Sequence, residues 1–255
     1  MRATILLAAG FLAVSSLTAT AAMIGVNFSG GTGTGGTEVT LLPGDSAGVV
    51  PQVNWNNTPG NSPSGSLNNL IDDSGTATTA NMTFSSAGKW TTTSTPQVTG
   101  DKKMMNGMIY GSVGGYPTFS VTGLTFSNYD VYVYTLDNRV FQMTLGSSYF
   151  GTGPGVGAVD GTAGAFTYTQ ATSTSAGSPT ANANYFKFSN VTGGNFTVTM
   201  AYLSGGSSNL ALMNGFQIVA IPEPSSVALA LGGFGMLIGL QRLLRRRASF
   251  LFSGG

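Results

Sequence analysis

Carboxylates are the main side chains in this sequence that could perform acid–base chemistry. The 255-residue chain contains neither cysteine nor histidine, which excludes thiolate or imidazole metal sites, cysteine nucleophiles and His-based triads. Glycoside hydrolysis needs two carboxylates held a few ångströms apart. Nearly all aspartates here lie in turn sequences, where Asp caps its own backbone. We therefore expect no enzymatic activity, with a glycan-active enzyme as the weaker alternative. Between Met23 and Ile221 the acidic residues are Glu38, Asp45, Asp72, Asp73, Asp101, Asp130, Asp137 and Asp160.

Two turn sequences have the oxygen-rich composition that calcium prefers. They are Ile71-Asp72-Asp73-Ser74-Gly75 and Leu136-Asp137-Asn138. Calcium binds carboxylate, amide and backbone carbonyl oxygens, so Asp72, Asp73 and Asp137 are candidate ligands for a structural calcium ion. No EF-hand spacing is present, and ordinary turn residues are the alternative interpretation. No other cofactor is expected.

One short sequence has the composition of a sugar-binding site. Trp55 stands between Asn54 and Asn56. An exposed indole can stack on a sugar face while neighbouring amides bond to its hydroxyls. Trp90 and Tyr116 are further aromatic candidates. The alternative is that these rings pack against the sheet, above all Trp90, which lies in a strand-like run.

Period-two alternation of apolar and polar residues dominates the segment that must position these groups. Phe196, Val198, Met200 and Tyr202 alternate with threonines and an alanine, and turn sequences separate about twelve such runs. We find no long helical pattern. This predicts an all-β domain over residues 23–220, an antiparallel β-sandwich that is jelly-roll-like. The predicted strands are Ile24–Phe28, Glu38–Leu42, Asn81–Ser85, Lys89–Thr93, Met104–Tyr110, Thr118–Val121, Tyr129–Leu136, Val140–Leu145, Ala165–Gln170, Tyr185–Ser189, Asn195–Tyr202 and Asn214–Val219.

The charge of this segment argues against nucleic acid as a partner. Charged residues make up only 7% of the chain, against roughly 25% in an ordinary soluble domain. Between Met23 and Ile221 there are eight acidic and five basic residues, a net charge of −3. Such a surface offers no basic patch for phosphates.

The N-terminal residues 1–22 have the features of a secretory signal peptide. Arg2 precedes the apolar run Ile5–Val14, and Ala19-Thr20-Ala21 is a small-x-small cleavage sequence. The apolar run is too short for a membrane span, which needs about 20 residues. We therefore expect export by the general secretion machinery and removal of the peptide by signal peptidase.

The C-terminal residues have the features of a membrane anchor. Val227–Leu240 contains no polar side chain, and a cluster of arginines follows it. A transmembrane helix over residues 227–244 is predicted, with its arginines on the cytoplasmic side. Together the two ends predict a domain held outside the cytoplasmic membrane.

Residues 221–247 resemble the PEP-CTERM sorting signal of Gram-negative bacteria. The resemblance is carried by Pro222-Glu223-Pro224, the apolar segment and Arg245-Arg246-Arg247, in that order. It implies recognition by an exosortase-like membrane transpeptidase, which would cut near Pro222–Pro224 and pass the protein to the cell surface or extracellular matrix. One departure is the short tail 248–255, because the family usually ends at the arginines.

The 23–220 segment also resembles, in outline, the galactose-binding-like jelly rolls of exported bacterial proteins. Ile24–Phe28 opens it, Tyr129–Tyr134 crosses its middle, and a closing strand contains Asn214-Gly215. The resemblance implies a fold more than a ligand. We expect an exported, transiently membrane-anchored, non-catalytic protein of the cell surface or matrix. The alternative is a carbohydrate-binding module of the exopolysaccharide.

Overall fold

The computed structural model describes residues 21–31, 38–93, 95–153, 166–205 and 209–222, together with Ile238 and Gln241. One compact unit spans Ala21–Ile221, and the flanking residues form a second unit. The predicted signal peptide, membrane helix and C-terminal tail fall almost wholly outside the described residues. The described part contains no helix that is both long and apolar enough to cross a membrane.

Sixteen strands and one short helix make up the described part of the compact unit. In chain order they are β1 Met23–Asn27, β2 Asn56–Asn57, β3 Ser64–Leu67, β4 Asn81–Ser85, β5 Gly88–Thr91, α1 Gly100–Asn106, β6 Gly107–Gly111, β7 Thr118–Thr122, β8 Asn128–Tyr134, β9 Val140–Leu145, β10 Ser147–Thr152, β11 Gln170–Ala171, β12 Thr180–Ala181, β13 Tyr185–Thr192, β14 Phe196–Ser204, β15 Ala211–Met213 and β16 Gly215–Ala220.

The strands form two large sheets and a small one. A six-stranded sheet has the order β11-β13-β8-β16-β1-β2, and a seven-stranded sheet has the order β12-β10-β9-β14-β7-β4-β3. The small sheet, β15-β6-β5, contains only antiparallel pairs. The protein is therefore a mostly-β, sandwich-like structure, as the alternation predicted.

The main core lies between the two large sheets. Phe119 of β7 stacks on Phe216 of β16, with ring centroids 4.1 Å apart and planes 8° from parallel. Phe28 packs against both rings at 6.1 and 6.2 Å. All three side chains are fully buried. Burial of such large apolar surfaces is the dominant stabilising term in a chain with so few charges.

A second cluster lies on the outer side of the six-stranded sheet. Tyr132 and Tyr134 alternate with the core-facing Val131 and Val133 along β8, so their side chains point away from the main core. Together with Leu41, Ala47 and Trp55 they form a separate buried group. The segment between β1 and β3 thus covers the outside of one sheet.

The first and last strands of the unit pair with each other in the middle of the six-stranded sheet. β1 and β16 are antiparallel, with Met23 opposite Val219 and Asn27 opposite Gly215. The backbone nitrogen of Ala220 donates to the Ala22 oxygen at 2.9 Å. The chain therefore enters and leaves this unit on neighbouring strands, and all described strands of the sheet lie within Ala21–Ile221.

Three features differ from the predicted antiparallel, helix-free fold. β2, β11 and β12 are two-residue strands that pair in parallel with β1, β13 and β10, so both large sheets are mixed. Loops that return along a sheet edge can add such short parallel pairs without a crossover helix. Predicted strand Glu38–Leu42 has no regular structure. It belongs to the covering segment, and its Leu41 packs into the second cluster.

The third difference is helix α1, which takes the first residues of predicted strand Met104–Tyr110. Thr99 caps this helix, its side-chain oxygen accepting from the Lys102 nitrogen at 3.3 Å. The strand β6 begins only at Gly107. At that position a Cβ would lie 2.5 Å from the Ser29 carbonyl carbon, so glycine permits the close approach of the two backbones.

Candidate functional site

Trp55 is buried, which corrects the prediction that its ring is exposed for a sugar. Only 4% of the residue is accessible. Its indole nitrogen donates to the Gln52 oxygen at 3.0 Å, and its ring lies edge-on to Tyr134 at 6.4 Å. A Cβ at Gly25 would lie 2.7 Å from the indole, so this glycine leaves space for the ring against β1. No face of Trp55 is free to stack on a ligand.

The amides beside Trp55 are used inside the fold. Asn56 donates to the oxygens of Gly25 and Ile71 at 2.9 Å each, and its own oxygen accepts from the Ile71 nitrogen at 2.9 Å. Asn54, with a φ of 55°, donates to the Asp73 oxygen at 2.8 Å. Both amides tie the covering segment to β1 and to the turn that contains Ile71 and Asp73, so they do not form the predicted sugar site.

The other two aromatic candidates are half-buried and far apart along the chain. Trp90 lies in β5, opposite Met108 of β6. Tyr116 packs against the main core, and its hydroxyl donates to the Tyr202 oxygen at 3.2 Å. Within the described residues, no hydrogen bond or ring contact joins them to Trp55, so the predicted set does not form one aromatic platform.

The Asp72 side chain is hydrogen-bonded within its own turn, and the Asp73 side chain is hydrogen-bonded to β1. Asp72 Oδ1 accepts from the nitrogen and hydroxyl of Ser74 and from the Thr76 nitrogen. Partial burial would raise the pKa of Asp72, but these hydrogen bonds outweigh it and lower that pKa below its usual value. Asp73 Oδ1 accepts from the Met23 nitrogen at 2.9 Å. The geometry is that of an Asp-capped turn.

Asp137 is completely buried beside Arg139. Its Oδ1 accepts from the Arg139 backbone nitrogen at 3.0 Å and from the guanidinium at 2.9 Å. Burial raises the pKa of Asp137, against the lowering effect of Arg139. Its Oδ2 has no hydrogen-bond partner among the described residues. Among those residues, no group of three acidic side chains converges on a possible metal position.

The predicted sorting signal lies at the edge of the described chain. Pro222 directly follows Ile221, whose nitrogen donates to the Asn128 oxygen at 2.9 Å. Glu223, Pro224 and Arg245, Arg246 and Arg247 are outside the described residues.

The outer side of the seven-stranded sheet is a regular array of hydroxyl groups. We call this array the hydroxyl face. One row crosses six strands through successive cross-strand pairs, and a second row crosses four. The rows are Ser64, Ser85, Thr118, Thr199, Thr144 and Ser148, and Ser66, Thr83, Ser120 and Thr197.

Strand alternation produces the hydroxyl face directly. Met82, Phe84, Phe119, Val121 and Val198 point into the core, so the Ser and Thr residues between them point out. The seven strands of this sheet contain no charged residue. By contrast, the outer side of the six-stranded sheet carries the Asp130–Lys187 ion pair, 2.7 Å between Oδ2 and Nζ.

Neither sequence comparison supplied a relative: no protein-family model matches the chain, and no curated protein matches it. One solved structure, described as the crystal structure of plant receptor-like kinase FER, is similar with a TM-score of 0.36 and 12% identity. The match covers 80% of this chain and 43% of that receptor chain. This chain thus matches less than half of the receptor's length, and a similarity this low says nothing about function.

Alternation in the sequence places Thr197 and Thr199 on the side of β14 opposite Phe196 and Val198, but it does not predict the hydroxyl face. Strand order and register are needed to see that the row of Thr199 continues over five other strands and the row of Thr197 over three. The runs of alternating Ser and Thr in β4, β7 and β14 were the available signal.

Proposed function

We propose that this protein is an exported, non-catalytic component of the cell surface or extracellular matrix. Its N-terminal signal peptide would direct export, and its C-terminal segment would hold it in the membrane until an exosortase-like transpeptidase cuts near Pro222–Pro224. The compact unit would then remain as a galactose-binding-like β-sandwich at the cell surface. No cofactor is required by this proposal.

The pairing of β1 with β16 is the observation that supports this proposal best. The first and last strands of the unit lie together in the centre of a sheet. Both flanking segments can therefore be removed by proteolysis without opening the sandwich. Cleavage by signal peptidase and by a C-terminal transpeptidase would therefore leave the folded unit intact.

Most acidic side chains in the described part of the chain form hydrogen bonds or ion pairs within the fold, which supports a non-catalytic role. Among the described residues, Asp45 pairs with Lys103 at 2.7 Å and Asp130 with Lys187 at 2.7 Å. Asp101 accepts hydrogen bonds from Tyr168 and Gly48. These acids stabilise separate parts of the fold, as Asp72, Asp73 and Asp137 do.

The sorting proposal is tested by expressing the full chain in a Gram-negative host with and without an exosortase gene. Changing Pro222 and Glu223 to alanine should leave uncut, membrane-bound protein in the host that has the enzyme. A Pro63→Ala change, in an exposed loop, is the matched control and should be processed normally. Identical fates for the wild-type and Pro222/Glu223 variant would contradict the proposal.

A further inference from the structure

We propose that the hydroxyl face binds a neutral polysaccharide. This goes beyond the proposed function, because a surface protein could be sorted and anchored without binding any glycan. It also replaces the predicted site at Trp55, which is buried. The occupant is an uncharged chain of sugars lying across the strands of the seven-stranded sheet.

Because the hydroxyl face carries no charge, it favours an uncharged ligand. All seven strands of that sheet lack charged residues, so binding an acidic glycan would bring no ion pairs and would desolvate its carboxylates without compensation. A nucleic acid is disfavoured for the same reason, since phosphate contacts dominate its affinity. A sugar hydroxyl and a Ser or Thr hydroxyl can each both donate and accept, so the two surfaces are chemically matched.

Part of the array is already oriented by hydrogen bonds within the face. Ser120 Oγ lies 2.7 Å from Thr197 Oγ1. On β9 and β10, Gln142 donates to Ser148 at 2.9 Å, and Ser148 lies 3.0 Å from Thr144. Groups held in this way lose less freedom when they bind, which favours affinity.

Three hydroxyls of the face are exposed to solvent and lack a hydrogen-bond partner. Thr83, Ser85 and Thr199 are exposed, and within the described part of the chain their hydroxyls form no hydrogen bond. They lie next to the linked groups in the same two rows. They are therefore available to bond a ligand while their neighbours fix the surface around them.

The dimensions and one aromatic ring suit an extended chain. A row across six strands is about 24 Å long at ~4.8 Å per strand, and the two rows lie about 7 Å apart along each strand. Phe150 of β10 is opposite Gln142 on the same outer side and is half-buried. Its ring is a platform on which a sugar can stack at one end of the row.

A second copy of the protein is a poorer occupant. The two rows of the face carry hydroxyls, with the half-buried Phe150 ring at one end, so pairing two such faces would bury little apolar surface and gain little free energy. The outer side of the other sheet is in part covered by the segment between β1 and β3, whose Trp55 and Leu41 pack with Tyr132 and Tyr134 of that sheet. The uncovered, uncharged sheet is the one with room for a long ligand.

The test is affinity electrophoresis of the full-length chain in mild detergent. The gels contain hydroxyethyl cellulose, galactomannan or dextran as neutral probes, and alginate as the acidic probe. We expect retardation by at least one neutral probe and none by alginate. A Thr83→Val/Thr197→Val/Thr199→Val variant keeps the β-branched shape and removes three hydroxyls, and should weaken binding roughly tenfold or more.

The matched control is Thr192→Val, an exposed threonine of β13 in the other sheet, which should bind like the wild-type. Near-ultraviolet circular dichroism checks that both variants remain folded. The proposal is overturned if no neutral probe retards the wild-type, if alginate alone does, or if the triple variant binds unchanged. It is also overturned if the wild-type self-associates without binding any glycan and the triple variant no longer self-associates. Exosortase processing plays no part in this assay, so its result is independent of the sorting proposal.

Discussion

The Tyr168 hydroxyl donates a 2.5 Å hydrogen bond to Oδ1 of Asp101. The same carboxylate oxygen accepts from the Gly48 backbone nitrogen at 2.9 Å. Next along the chain, the Val49 nitrogen donates to the hydroxyl of Tyr134, which in turn donates to Gln217. Two tyrosines and one aspartate therefore hold the covering segment on the outside of the six-stranded sheet.

Replacing Tyr168 with phenylalanine should destabilise the protein by about 1–3 kcal/mol, because Asp101 loses a charge-assisted donor. Denaturant unfolding of the variant and wild-type measures the difference. Tyr149→Phe is the control: Tyr149 is half-buried and its ring packs against Phe188, so loss of its hydroxyl should cost little. Equal stability of Tyr168→Phe and wild-type would show that the Asp101 contact does not hold the segment.

The buried tyrosines make stability sensitive to alkaline pH. Burial raises the pKa of Tyr129, Tyr134 and Tyr168 above the usual value near 10. In the unfolded chain these groups ionise first as pH rises, so the unfolded state binds fewer protons. The free energy of unfolding should therefore be constant below about pH 9 and fall above pH 10. Tyr168→Phe should reduce this slope between pH 10 and 11. A slope equal to that of the wild-type would refute the assignment.

Lys89 should contribute more to stability than an exposed lysine does. The residue is 6% accessible, and its ammonium donates to the carbonyls of Gly60, Thr58 and Pro59 at 2.8, 3.3 and 3.4 Å. Lys89→Met leaves these oxygens without that donor and should cost about 1–3 kcal/mol. Thermal or denaturant unfolding at pH 7 measures the cost.

The comparison variant is Lys187→Met, which breaks a partly exposed ion pair with Asp130. That change should cost no more than about 1 kcal/mol. A larger effect at Lys187 than at Lys89 would contradict the structural role given to the carbonyl contacts. Burial also lowers the pKa of Lys89, although Glu38 opposes this shift.

Asp137 should give a distinct pH dependence at acid pH. Because burial raises its pKa above 3.8, the folded state binds more protons than the unfolded state just above that pH. This contribution to stability is complete below pH 3.8 and is lost as pH rises through the folded pKa. The stability of the wild-type relative to Asp137→Asn should therefore decrease as pH rises from about 4.

Unfolding at several pH values from 3 to 7 checks this relationship. Asp137→Ala removes the acceptor for Arg139 as well, and should be less stable than Asp137→Asn at every pH. A wild-type minus Asp137→Asn difference that does not change with pH would mean that the carboxylate titrates equally in both states.

The sequence predicted the sheets far better than it predicted the site. Strict alternation in β4 and β14 identifies both a core side and an outer side, because a strand's period is two whatever its neighbours are. Trp55 shows why the predicted sugar site differs from the structure. Its flanking asparagines suggested a ligand, but its burial depends on Gly25, a residue thirty positions away that leaves space for the ring.

The parallel strand pairs and helix α1 could not be predicted from the local sequence pattern, because they too depend on contacts with residues distant along the chain. A two-residue strand such as β2 has no period of its own and exists because a loop returns beside β1. In α1, Met104 and Met105 are both buried, a pattern that a buried strand can also have. The change from helix to strand occurs at Gly107, where the Ser29 backbone approaches closely, and that contact is not visible in the local sequence.

The most direct test of the account is mass spectrometry of the intact protein recovered from an exosortase-containing host. We predict a surface or extracellular product that begins close to Ala22 and ends close to Pro222–Pro224, with both flanking segments removed. A full-length product that stays in the cytosol, with residues 1–22 and 225–255 still attached, would contradict it.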